Sequence, residues 1–192
     1  MARIRTVWAA LALMGTVTAV AATPVQASPL SVAPATACPT GWGSLEKNDS
    51  SATTASVTNI RTGRQTCYDR MVVDVPGAGT GLGYTVEYVD RIRQDGSGRP
   101  VPVGGGAVLE VRVAAPAYDH ETGEATYPGR AGRPLPGVDL TGYRTFKDAR
   151  FAGSFEGDTQ IGLGVRARLP FRVFVLDDRV VVDVAHNWTG TR

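Results

Sequence analysis

The chain has 192 residues, with 20 Lys and Arg against 18 Asp and Glu. Setting aside Arg3 and Arg5, which lie in a stretch read below as removable, leaves 18 basic and 18 acidic side chains. A protein that holds nucleic acid or anionic lipid by charge shows a surplus or a basic run, and this sequence offers neither, so no nucleic-acid partner is expected.

In chain order, Arg3 and Arg5 form a short basic start, Val7 to Ala22 is an apolar run, and Pro24-Val25-Gln26-Ala27 supplies small or β-branched residues where a signal peptidase cuts. Residues 1–27 are therefore predicted to be a signal peptide. The run is shorter than the ~20 residues of a spanning helix, which favours export over anchoring, and no later stretch is long and apolar enough to span a bilayer. About 165 residues remain, enough for one domain with a substantial core. Residues 28–56 read as a leader with a tethered segment. Ser28 to Ala37 is Pro-containing and flexible, Cys38 to Lys47 lies against the domain with Trp42 and Leu45, and Asn48 to Ser56 is a mobile loop. Cys38 and Cys67 are the two cysteines of an exported chain and are expected to pair. Closing that loop contributes roughly 3–4 kcal/mol on the chain-entropy estimate.

From Val57 onward the pattern is that of strands. Cys67 to Val75 alternates, as does Tyr84 to Val89, with a possible extension to Ile92. Asp95-Gly96-Ser97-Gly98 is a turn. Val101 and Val103 make a short edge piece between Pro100 and Pro102, and Gly104-Gly105-Gly106 turns again. Leu109, Val111 and Val113 alternate with Glu110 and Arg112. After a long loop come Tyr143 to Phe155, Ile161 to Val165, Phe171 to Leu176 and Val180 to Val184, the last two joined by an Asp177-Asp178 turn. No window of the mature chain favours the helical period. The expected fold is all-β: an antiparallel β-sandwich of two related sheets, eight or nine short strands and little helix.

The relation between the sheets rests on a repeat. Asp69-Arg70-Met71-Val72-Val73-Asp74-Val75 returns as Asp178-Arg179-Val180-Val181-Val182-Asp183-Val184, identical at six of seven positions. In each copy the first, third and other alternate apolar residues (71, 73, 75 and 180, 182, 184) share one face, and Arg-Val-Asp the other. One copy is expected in each of two packed sheets.

These segments resemble the AMIN-like domain of exported actinobacterial proteins, a relative of the AMIN module of N-acetylmuramoyl-L-alanine amidases and type IV pilus secretins. The matching stretches are Cys67 to Asp74, Val86 to Val89 with Arg93 to Gly98, Ala115 to Asp119, Phe155 to Arg166, and Pro170 to Asp178 through Ala185-His186. The resemblance covers about residues 57–186, leaving 187–192 as a tail. It implies symmetric antiparallel sheets and binding to peptidoglycan or anchoring in the cell envelope.

No residue pattern points to catalysis. His120 sits in a polar loop and His186 at a strand end, neither in a recognisable nucleophile setting, and the Gly-x-Ser-x-Gly elbow is absent. The zinc motif His-Glu-x-x-His is also absent, so neither metal nor cofactor is expected. Gly77 to Gly83 lacks the following helix that a phosphate cradle needs. Gly162 and Gly164 strip one face of a strand, which suits either tight packing or a flat glycan shelf ending at Arg166. The loop from Ala115 to Gly137 exceeds the usual connection length, as binding loops and disordered segments do. Tyr118, Asp119 and Tyr127 in that loop, with Arg166, are the candidate sugar-binding residues.

The sequence thus predicts a secreted, non-enzymatic module of the cell envelope that binds peptidoglycan or wall glycan. The alternatives are a protein-interaction module pairing with an envelope protein through a sheet edge and a hydrolase with an unrecognised site.

Overall fold

A computed structural model describes residues 38, 39 and 41–188. The predicted signal peptide, the leader Ser28 to Ala37 and the end of the tail lie outside the described residues. The described part is all-β, as the alternation predicts.

Twelve strands occur in order: β1 (Lys47–Asp49), β2 (Asn59–Arg64), β3 (Tyr68–Asp74), β4 (Tyr84–Val89), β5 (Ile92–Arg93), β6 (Pro100–Val101), β7 (Ala107–Val113), β8 (Arg133–Pro134), β9 (Phe146–Phe155), β10 (Asp158–Val165), β11 (Phe171–Val175) and β12 (Arg179–Ala185). β6 is the edge piece expected at Val101, and the expected eight or nine become twelve because β1, β5 and β8 are two or three residues long. That is too short for alternation to register. Asn48, assigned to a mobile loop, instead pairs with Thr85 at the edge of a sheet.

The strands form a six-stranded sheet, β1-β4-β7-β10-β9-β8, and a four-stranded sheet, β11-β12-β3-β2, each antiparallel, plus the small hairpin β5-β6. The inner faces meet in one core. Val86, Leu109, Val111, Val113, Ile161 and Leu163 of the larger sheet pack with Met71, Val73, Phe171, Val180, Val182 and Val184 of the smaller. β-branched side chains suit such half-buried pleats, and every one of these is fully buried.

Tight turns set the register. Asp177 and Asp178, between β11 and β12, both have positive φ (35° and 63°). So do Glu156 and Gly157 (49° and 91°) between β9 and β10. Two consecutive left-handed residues match the twist of the flanking strands, and Asp tolerates that region better than most residues.

The repeat is placed differently from expectation. β3 and β12 are not divided between the sheets. They are hydrogen-bonded neighbours in the four-stranded one, with Met71 opposite Val182 and Val73 opposite Val180. Antiparallel neighbours related by a two-fold rotation present the same side chains to the same face, so one duplicated ribbon can supply both strands.

The glycine shelf is also occupied by the chain itself. A Cβ at Gly162 would lie 2.7 Å from Val103 Cγ2 and 2.9 Å from Ile92 Cγ1, and one at Gly164 would overlap the carbonyl oxygen of Gly104. The β5-β6 hairpin therefore lies on the outer face of the six-stranded sheet, where Ile92, Val101 and Ala152 form a second small core. Of the two readings of these glycines, tight packing holds.

Cys38 is disulfide-bonded to Cys67, 29 residues on. The bond ties the segment preceding β1 to the start of β3. Reducing it, or replacing both cysteines by alanine, is expected to lower stability by about 3 kcal/mol on the loop-entropy estimate. Chemical denaturation with and without a reductant measures this.

Candidate binding face

The outer face of the four-stranded sheet is built from the polar half of the repeat. Because β3 and β12 run antiparallel, Arg70 stands opposite Asp183 and Asp74 opposite Arg179. The arginine of each copy meets the second aspartate of the other. Arg70 grips Asp183 with both ends of its fork, Nε to Oδ1 at 2.6 Å and Nη2 to Oδ2 at 2.9 Å. Arg179 Nε reaches Asp74 Oδ1 at 3.1 Å. Opposed charges across a strand pair stabilise it, and the bidentate form fixes geometry as well.

The outer strands add a second arginine to each aspartate. Arg172 on β11 donates to Asp183 Oδ2 at 2.9 Å through Nε, and Arg61 on β2 donates to Asp74 Oδ2 at 2.9 Å through Nε. The two clusters differ in depth. The Asp183 side chain is fully buried, whereas Asp74 keeps 17% exposure and its arginines 44–50%. Burial pushes the Asp74 carboxyl up, but the hydrogen bond and charge of Arg61, helped by Asn59 and Arg179, outweigh it and hold the group below its ordinary value.

Aromatic rings interleave with the deeper cluster. The Arg172 guanidinium lies 4.6 Å from the Trp42 ring centre, 5.0 Å from Phe174 and 5.6 Å from Tyr68. The Arg70 guanidinium lies 5.3 Å from Tyr68 and 5.6 Å from Phe174. Trp42 also meets Tyr68 edge-on at 5.5 Å. The tryptophan sits between Gly41 and Gly43, both at positive φ (83° and 66°), and the Gly43 carbonyl accepts from Phe171 N. That bond and the Cys38–Cys67 disulfide hold the Trp42 segment beside the sheet.

Four arginines thus share two aspartates on this face, a local surplus of positive charge in a chain that is otherwise balanced. The arginine stems also cover Val72 and Val181, which point outward yet are 5% and 2% exposed. Fixed guanidinium groups with three ring systems suit a ligand that offers acidic oxygens and a flat or ring-shaped body.

The four residues nominated from the sequence do not converge. Tyr118 is half-buried, bridges Ala125, and touches His120 edge-on at 5.6 Å. Asp119 is spent on its own loop, accepting from Glu121 N, Thr122 N and Thr122 Oγ1. The bonds from Thr122 and Glu121 hold its carboxyl low. Tyr127 points inward against Phe151 at 5.6 Å and is 3% exposed, so its ring cannot meet a sugar. Arg166 follows β10 and donates to the carbonyl of His186. On β10, Thr159 stands opposite Val113, just before the long loop, and the strand ends at Val165. At about 3.3 Å per residue this separates Arg166 from that loop by roughly 20 Å. The loop itself is neither strandless nor loose, since it holds β8, the Tyr118–Ala125 bridge and the Asp119 turn.

One arrangement was not foreseen. Asp69, the first aspartate of the repeat, is fully buried on the core side, where it accepts from Thr145 N (2.6 Å), Phe146 N (3.1 Å) and His186 Nε2 (3.1 Å). An Asp–His pair resembles part of a catalytic set, but no hydroxyl or thiol approaches the other ring nitrogen of His186, which is buried and unpartnered. The pair ties β9 and the end of β12 to β3. Among the described residues no cluster of His, Cys, Asp or Glu is placed to hold a metal, and no helix is long and apolar enough to cross a membrane.

Two tyrosines offer a check on this packing. Burial pushes the hydroxyls of Tyr88 and Tyr127 up to about 12. Their neutral forms are favoured by folding, so the stability they contribute is intact below pH ~10, the ordinary tyrosine value, and is lost as pH rises toward about 12. Alkaline titration followed by absorbance should show these two ionising last, together with loss of the fold.

The AMIN-like domain model matches residues 55–186, so the chain belongs to the AMIN-like domain family. No curated protein and no solved structure matches it. Membership suggests a module associated with the cell envelope, and a structural disulfide fits an oxidising compartment outside the cytoplasm.

Proposed function

We propose that this AMIN-like domain protein is a secreted, non-enzymatic module that binds peptidoglycan or wall glycan through the outer face of its four-stranded sheet. The observation that carries the reading is the layer of Arg70, Arg172, Trp42, Tyr68 and Phe174 around Asp183, flanked by Arg61 and Arg179. Wall peptides carry free carboxylates and wall glycan carries pyranose rings with apolar C–H faces, and this face offers a partner for each. Folding itself positions the donors, so binding orders few side chains. The candidate loop residues do not share in it.

Sedimentation with purified peptidoglycan tests the reading. The wild-type chain is expected to pellet with the wall, and less so as salt rises from 50 mM to 500 mM, because exposed charges are screened within a few ångströms at the higher value. Trp42→Ala and the pair Arg61→Ala/Arg179→Ala should each reduce retention by roughly tenfold, while Tyr118→Ala leaves it unchanged. Retention indifferent to both salt and these substitutions would sink the proposed face. No retention at all would favour a protein partner. Release of soluble muropeptides during the same incubation would overturn the non-enzymatic reading.

A further inference from the structure

An edge strand carries unpaired backbone groups that invite another strand unless something guards them. The two large sheets end in β1 and β8, and in β2 and β11. β1 is three residues long and β8 two, one of them Pro134. β2 reads Asn-Ile-Arg-Thr-Gly-Arg, with two arginines and a glycine. Short length, proline, charge and glycine all discourage strand addition. β11 lacks these guards. It reads Phe-Arg-Val-Phe-Val and runs into Leu176, which is 48% exposed. Its one charge, Arg172, is committed to Asp183.

The turn after β11 fixes which of its backbone groups are free. Leu176 N donates to Arg179 O and Ala185 N to Pro170 O, so the backbones of Pro170, Arg172, Phe174 and Leu176 face β12. Alternation turns the N–H and C=O of Phe171, Val173 and Val175 the other way, toward the open edge. Phe171 N is taken by Gly43 O, where the Trp42 segment runs alongside. Val173 and Val175 present theirs unpaired: among the described residues no strand or side chain takes them. Neither side chain is fully buried.

We infer that two copies of this chain pair antiparallel through this edge, β11 against β11, about a two-fold axis at Phe174. In that register Val173 of each copy stands opposite Val175 of the other, and the two free N–H groups of each meet the two free carbonyls of the other. The register centred on Val173 needs Phe171 N, which Gly43 already holds, so the occupied first residue selects this one. On the outer face Phe174 meets Phe174 of the second copy. Arg172 lies opposite its Leu176, and the stem of the arginine covers that exposed apolar surface. Asp177, without an ion partner among the described residues, comes opposite Phe171, where Lys47 lies 4.7 Å from the ring centre. Opposite charges thus meet at each end of the seam. One strand supplies both halves of the match, which is why a second copy and not an unrelated strand is the occupant. The product is a continuous sheet built from two four-stranded ones. The inference does not depend on the wall-binding reading.

Sedimentation velocity of the whole secreted chain, disulfide intact, tests it from about 1 to 300 µM, because so short an edge buries less than a standard interface and gives a weak dimer. The sedimentation coefficient is expected to rise from monomer to dimer across that range. Val173→Pro removes one outward N–H and should abolish the rise. Leu176→Arg sets like charges opposite each other, twice by symmetry, and should weaken pairing roughly tenfold. Leu176→Glu, facing Arg172, should keep or tighten it. Leu176 is exposed, so unchanged melting curves certify these two variants even where the proline variant fails to fold. Phe174→Cys should crosslink two copies on oxidation, because a non-hydrogen-bonded pair sets its Cα atoms about 4.5 Å apart, within disulfide reach. Leu176→Cys should not. A monomer at every concentration overturns the inference. So does a dimer indifferent to Val173→Pro and to both charges at position 176, or one trapped through Leu176→Cys and not through Phe174→Cys.

Discussion

Replacing both Arg70 and Arg172 by alanine is expected to destabilise the protein by about 3–5 kcal/mol. The carboxylate of Asp183 is fully buried and has these two guanidiniums as its charged partners. Stripped of both, it must stay ionised without a counter-charge or take up a proton, and either route costs free energy in the folded state alone. The matching pair on the other half of the repeat supplies the control. Arg61→Ala/Arg179→Ala strands Asp74, which still touches solvent and keeps its 3.1 Å bond from Asn59, so about 1 kcal/mol or less is expected. Adding Asp183→Val to the first pair should recover most of the loss, because Val72 and Val181 already line that face and a buried ion pair exchanged for packed apolar groups is often neutral or better. Urea denaturation of the wild type and the three variants decides the matter. Equal costs for the two arginine pairs would mean that burial does not separate the clusters.

β3, β4, β7 and β12 were legible because one face is dry and the other is wet or charged, which writes a period of two into the sequence, whereas β2, with a single buried apolar residue, carries no such run. The short strands β1, β5 and β8 escaped for the converse reason, since two or three residues carry no period, while β6 was reached through the prolines that flank Val101. The repeat announced two related strands but not their relation. Its antiparallel reading could have been weighed from the spacing alone: Arg and the second Asp lie four residues apart in each copy, so pairing the copies head to tail sets each arginine against the other's aspartate. Of the site, Arg70 and Asp183 were therefore within reach. Trp42, Arg172 and Phe174 were not, because their meeting depends on how the segment after the disulfide runs beside β11, which no local pattern encodes. Tyr127 shows the opposite hazard. An aromatic residue in a long polar loop invites a binding role, yet it turned inward to fill space beside Phe151, the commonest use of a tyrosine ring.

Gly164→Ala is expected to cost more than Gly162→Ala, although each adds one methyl to the same strand. At 162 the added carbon meets the ends of side chains, Val103 Cγ2 at 2.7 Å and Ile92 Cγ1 at 2.9 Å, and these can rotate or shift within the small outer core. At 164 it meets the backbone carbonyl of Gly104 and lies 3.1 Å from Asp148 Cβ. Relief there requires the segment after β6 to lift from the sheet, breaking the 2.9 Å bond from Gly104 N to Asp148 Oδ2. Overpacking of this kind costs typically 1–3 kcal/mol, with the backbone clash placing Gly164→Ala at or above the top of that range and Gly162→Ala near the bottom. Thermal melts order the two. The same variants also separate structure from binding. If the glycines served a ligand directly, Gly162→Ala would lower retention on peptidoglycan in a folded protein. Because Val103 and Ile92 already fill that space, retention should match the wild type, and the loss of stability should be the sole effect of the methyl group.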